Sequence, residues 1–289
     1  MQDIKMEAAI FFDSYFPRAL RRALQYAGDD GFVASMPQLL HARANASYDH
    51  TIWNTWFTPN SEENVVKTPQ GNRVVVAVHG GGMYGSPERF ERVYRQSVDQ
   101  SNPEGLTGQF TGKITERESR DVLEGKLPDG TEIPVYPFEE FKQGIADLPI
   151  RYGVILDFEM ARKANSGYET FEALKDDPNL IVRAGGVEAA AAYLDKYCDR
   201  YNTKVMGNWH PYNGIDPDQP QTRILFLAGN KDGEGSDEGD DHPFNYDTPF
   251  GYDTKYGLSG KESMFGMSRY VAVAPRDVST DLRYLDFEL

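Results

Sequence analysis

From residue 73 onward the chain sets down short apolar runs separated by turn formers. They are RVVVAVH (73–79), TEIPVYPF (131–138), YGVILDFE (152–159), NLIVRAGG (179–186), TKVMGNWH (203–210), TRILFLAGN (222–230) and RYVAVAP (269–275). Runs this short, nearly continuous and rich in Val and Ile read as strands buried on both faces. Three helical segments fall between them. SPERFERVYRQSV starts with Ser86 as N-cap and Pro87 at the first helical position, and TERESRDVLEG has Thr115 and Glu118 at capping-box spacing with Gly125 as its stop. GGVEAAAAYLDKYCDRY puts Val187, Ala190, Leu194, Tyr197 and Tyr201 on one stripe. Alternating strands and helices predict an α/β architecture with a mixed, partly parallel sheet. The alternation lapses after residue 210, so long irregular loops are expected there. KLPDGTEIPVY reads as a strand-and-turn flap bending at Asp129-Gly130.

The first quarter reads differently. Residues 4–27 carry Ile10, Phe11, Tyr15, Leu20 and Leu24 roughly on one helical face, with Pro17 as a break. TIWNTWFTPNSEEN (51–64) holds two of the three tryptophans. The expected division is a helical N-terminal arm or cap over 1–72 and an α/β core over 73–289 that includes an acidic loop at 230–265. The alternative fold is an α+β shell-protein fold.

Charge narrows the functions. Thirty Lys and Arg stand against 45 Asp and Glu, a formal charge of −15, so a phosphate backbone meets repulsion and general nucleic-acid binding is disfavoured. No run approaches the ~20 apolar residues of a membrane helix, and the N-terminus lacks a secretory pattern. A cytoplasmic location is expected, or a virion if the chain builds a shell. Cys198 is the single cysteine, which excludes an internal disulfide and a cysteine-based metal cage.

Four features could carry chemistry. His79-Gly80-Gly81-Gly82, at the end of the first run, resembles the HGGG turn of the hormone-sensitive-lipase branch of α/β-hydrolases, which implies backbone N–H groups that hold a developing oxyanion. The G-x-S-x-G elbow that should accompany it is missing; GEGSDEG and YGLSGKE both miss its spacing. Glycines there also serve a tight turn. Asp157 and Glu159, alternating around Phe158, would share one side of a strand and act as an acid–base pair; alternatively Glu159 opens a helix. His210 follows Trp209 at another strand end. If His79, Asp157 and His210 met at one sheet edge, they could ligate a divalent metal with Glu159 as general base. In NKDGEGSDEGDDHP, Asp232, Glu234 and Asp241 fall near the ligand positions of an EF-hand loop, with departures in residue type and flanking structure, so a loose Ca²⁺ loop competes with a solvated excursion.

Three functions follow as expectations. The first is a hydrolase using His79, Asp157, Glu159 and His210 in general acid–base chemistry on a polar uncharged, glycosidic-type substrate, with or without Zn, Mn or Ca. The second is a self-assembling coat or shell subunit; residues 148–186 are loosely similar in pattern to coat-protein domains of tailed phages. The third is a sugar- or protein-binding module without turnover, its aromatic segment FNYDTPFGYDTKYGLSG serving as a cleft rim.

Overall fold

The computed structural model describes residues 5–97, 111–164, 167–209, 212, 218–227, 257–259 and 268–276. Its strands are β1 (Lys5–Asp13), β2 (Phe32–Val33), β3 (Ser61–Lys67), β4 (Arg73–His79), β5 (Thr111–Lys113), β6 (Val135–Pro137), β7 (Tyr152–Asp157), β8 (Gly167–Thr170), β9 (Val205–Trp209), β10 (Gln221–Ile224), β11 (Phe226–Leu227), β12 (Gly257–Ser259) and β13 (Ser268–Arg276). The helices are α1 (Phe16–Ala27), α2 (Met36–Asn45), α3 (Pro87–Ser97), α4 (Glu116–Leu123), α5 (Phe138–Phe141), α6 (Phe158–Lys163), α7 (Phe171–Leu174), α8 (Pro178–Ala184) and α9 (Val187–Tyr201).

The architecture is mixed α/β. Three sheets run in the orders β5-β10-β3-β4-β7-β6, β11-β12-β9-β8 and β1-β13-β2. Among the described strands only β6 with β7 and β9 with β12 are parallel. β4 lies antiparallel to both neighbours, β3 and β7. The partly parallel reading therefore holds for one edge pair of the six-stranded sheet and the central pair of the four-stranded one.

Two-residue periodicity builds the core around the central strands. Val75 and Ala77 of β4 face one core with Val65, Tyr152, Val154 and Leu156, under α2, α8 and α9. Val74, Val76 and Val78 face a second core with Val66, Met83, Val122 of α4 and Leu127 and Ile133 of the flap. Covering both faces explains why RVVVAVH is apolar throughout rather than alternating. A third core packs Phe16, Leu20 and Ala23 of α1 against Tyr270 and Ala272 of β13.

Two expectations are corrected. The single helix over 4–27 is instead a strand followed by a helix. Lys5–Asp13 pairs residue for residue with Arg276 back to Ser268, and Pro17 sits in the first turn of α1, where its fixed φ suits a helix start. The run NLIVRAGG is a helix, not a strand. Asp177 caps it by accepting from the Leu180 N–H, Pro178 opens it, and Gly185 closes it with a left-handed φ of 92°. Local punctuation therefore decides a run whose apolar pattern fits either state. The capping box of α4, its stop at Gly125 and the bend at Gly130 stand where the sequence placed them. No break falls at residue 72, because β3 and β4 pair across it.

Candidate functional site

The glycine turn after β4 does gather backbone amides, but around the protein's own carboxyl group. The Tyr84 N–H donates to Glu62 Oε2 at 2.9 Å, the Asn64 Nδ2 amide to Oε1 at 3.0 Å, and the Met83 N–H also bonds this carboxyl. Gly82, at φ +103°, has no side chain because the Glu62 carboxyl occupies the space a Cβ would need. Gly81 is covered in the same way by Leu127 and Arg151. Glu62 is fully buried, and that burial outweighs the amides and raises its pKa from 4.5 to about 7. A substrate oxyanion at this turn would have to displace Glu62.

The close approach makes Gly82→Ala an informative change. It is expected to cost roughly 2–3 kcal/mol, from the strained backbone and from displacing a buried carboxyl. Gly71, at φ +84° with open space around its would-be Cβ, supplies the control. Gly71→Ala should cost about 1 kcal/mol, and thermal melts of the two variants would separate contact from strain.

His79 is buried with both ring nitrogens engaged. Nδ1 lies 2.9 Å from Ser61 Oγ, which itself accepts from the Met36 N–H, and Nε2 lies 3.1 Å from the Val182 carbonyl. The carbonyl can only accept, so Nε2 carries the proton and Nδ1 accepts from the Ser61 hydroxyl. Burial lowers the His79 pKa to about 4, which keeps the imidazole neutral.

Asp157 and Glu159 lie elsewhere. In the β4·β7 register, His79 stands opposite Tyr152 while Asp157 stands opposite Val74. Five residues of extended chain thus separate the two ends, about 17 Å. Asp157 caps α6 by accepting from the Met160 N–H at 3.0 Å, and exposed Glu159 pairs with Arg162 at 2.6 Å. The Arg162 hydrogen bond lowers the Glu159 pKa. The strand ends at Asp157, so the two carboxylates do not share a strand face. The expected meeting of His79 with Asp157 and Glu159 assumed parallel neighbours, and an antiparallel pair sends the two C-terminal ends to opposite edges. His210, Asp232, Glu234 and Asp241 lie outside the described residues. Among the described residues no group of three or more His, Cys, Asp or Glu could hold a metal.

A buried polar network joins β3, α8 and β9, and sequence reasoning missed it. Arg183, fully buried, donates to both oxygens of Glu63 at 2.8 and 3.1 Å and to Asn208 Oδ1 at 2.8 Å. The Asn208 amide donates to Asp177, and the Tyr212 hydroxyl donates to Glu63 Oε2 at 2.5 Å. Burial disfavours the charge on Arg183, but the Glu63 carboxylate more than offsets this and holds the guanidinium pKa above its ordinary value. Two signals were present: a lone Arg within NLIVRAGG, and consecutive glutamates leading into Val65 and Val66.

A different cluster reaches the surface. Phe12 and Arg269 are direct cross-strand partners on β1 and β13. Trp56 precedes Phe57, which bridges to Leu227 beside Phe226. The Arg269 guanidinium lies over the Trp56 ring at 4.6 Å and the Phe12 ring at 5.4 Å, and Phe226 stacks on Trp56 at 5.7 Å. Phe12 is 43% exposed, and Trp56, Phe226 and Arg269 are half-buried. β11, which carries Phe226, pairs antiparallel with β12.

The chain matches no known protein family and none of the curated proteins. It is similar to a solved structure described as "Accommodation of massive sequence variation in Nanoarchaeota by the C-type lectin fold", with 22% identity and a TM-score of 0.57 over 95% of this chain and 98% of that one. The likeness is one of fold. It places this mixed α/β architecture beside the C-type lectin fold. Among the described residues no helix is long and apolar enough to cross a membrane.

Proposed function

We propose that the chain is a binding module that recognises a polar ligand, a glycan or another protein, without turnover. One observation carries this reading: the half-exposed ladder of Phe12, Trp56, Phe226 and Arg269 combines large rigid rings with a cation on strands held by backbone pairing. Aromatic and arginine side chains on a rigid frame are the usual material of recognition surfaces. The neighbour's fold accommodates massive sequence variation. A scaffold that holds Phe12 and Arg269 in register by β1·β13 backbone pairing, and that is braced elsewhere by the Glu63–Arg183 network, suits such a role here. Two of the four groups considered for hydrolysis favour binding too: His79 is locked between two bonds, and Glu159 pairs with Arg162 in solvent.

The test combines light scattering with a panel of oligosaccharides and peptides presented to the full chain. A small discrete species, saturable binding and no released product are expected. Product release that Glu159→Gln abolishes would restore the acid–base hydrolase, and particles of many copies would restore the shell subunit. Glu159→Gln itself should change stability by less than about 0.5 kcal/mol, since exposed pairs contribute little; a larger loss on thermal melting would give Glu159 a structural part.

A further inference from the structure

Among the described residues, two arginines stack on tryptophans, and they are used differently. Arg43, over Trp53, donates to the carbonyls of Ile52 at 3.0 Å and Thr55 at 2.7 Å, so its donors are consumed inside the fold. Arg269 is half-buried between Trp56 and Phe12, and its guanidinium has no carboxylate or other acceptor among the described residues; its backbone N–H is what bonds Thr58. A guanidinium presents five N–H donors in a planar fork that fits a carboxylate. Held partly out of water against two rings, that fork has lost hydration without gaining an acceptor among the described residues.

We propose that the guanidinium of Arg269, framed by Phe12, Trp56 and Phe226, is the docking point for a carboxylate side chain of a protein partner, whose neighbouring apolar groups cover the rings. This rests on the binding-module reading and names its ligand class. Three observations favour a protein over a sugar acid. Phe226 and Arg269 already stack on Trp56, whereas a sugar needs an open ring face. Tryptophan and arginine are the residues most enriched at the energetic centres of protein interfaces. The formal charge of −15 draws in a partner of net positive charge, so an acidic group within a basic, apolar surround meets long-range attraction and finds its local complement at Arg269.

The probes are two capped peptides added to the full chain, lysine–leucine–glutamate–leucine–lysine and the same peptide with glutamine at its centre. The readout is the ¹⁵N-resolved Nε–H signal of Arg269, assigned by its disappearance in Arg269→Lys. The glutamate peptide is expected to shift this signal downfield and to bind at least tenfold more tightly than the glutamine peptide. Arg269→Lys, which keeps the charge and loses the fork, should abolish most of that preference with an unchanged melting temperature. The wild-type comparison of the two peptides stands even if the variant is destabilised. Equal binding of both peptides, or no shift with either, overturns the proposal, and a shift given by D-glucuronate but by neither peptide overturns it in favour of an acidic sugar. Ligand capture in the wider panel that Arg269→Lys leaves intact would sink this site while leaving the binding module standing.

Discussion

Arg183→Leu is expected to lower stability by about 3–5 kcal/mol, the largest effect of any single change considered. The substitution leaves Glu63 ionised, buried and without its counter-charge, along with Asn208 Oδ1 lacking its donor. Breaking one partner of a buried pair exposes the full desolvation cost of the other. In a chain of this size the melting temperature should fall by roughly 10 °C or more. Combining Arg183→Met with Glu63→Gln should recover at least half of the loss, because the glutamine carries no charge and still accepts from the Tyr212 hydroxyl. Chemical unfolding of the two proteins measures both numbers. A single variant as stable as the parent would show that the network positions groups without stabilising the fold.

Glu62→Gln should stabilise the protein increasingly as pH rises. In the folded chain Glu62 holds its proton to about pH 7, while its ordinary pKa is 4.5. The raised value means that the carboxyl's contribution is fully present below about pH 4.5 and is lost as pH rises through about 7. Glutamine does not titrate. The stability difference between variant and parent should therefore widen between those limits by roughly 3 kcal/mol, at about 1.4 kcal/mol for each tenfold change in proton affinity. His79 runs the other way, since its folded pKa near 4 lies below the ordinary 6.5; its contribution is present above about pH 6.5 and is lost as pH falls through 4. Only the difference between parent and Glu62→Gln isolates the carboxyl. A pH-independent difference would mean that Glu62 is ionised in the fold across the whole range.

Much of the secondary structure was legible because it is written locally. β4 announces itself by five consecutive apolar residues, and α4 by Thr115 and Glu118 spaced three apart. Pro87 and Gly125 mark a helix start and a helix stop for reasons internal to the backbone. Where local signals were weak, the reading failed. Ser61 to Asn64 are polar and fall within the expected N-terminal arm or cap, yet they form a strand buried on both faces, since Glu62 finds the glycine-turn amides and Glu63 finds Arg183. A polar strand can be buried only if its partners exist, and those partners lie 20 to 150 residues away.

The candidate site illustrates the same divide. The sequence alone offered two readings of the three glycines after His79, a tight turn and a cluster of backbone donors, without deciding between them. It determined the net acidity, the strand-rich core and the capping box of α4. Tertiary structure alone decided what those donors hold and that β4 and β7 run antiparallel. It decided too that Phe12 and Arg269, 257 positions apart, stand opposite each other across a strand pair. Caps and periodicity act over a few residues and leave a local trace, whereas strand order and direction come from which distant surfaces bury each other best, and no short stretch of chain records that choice.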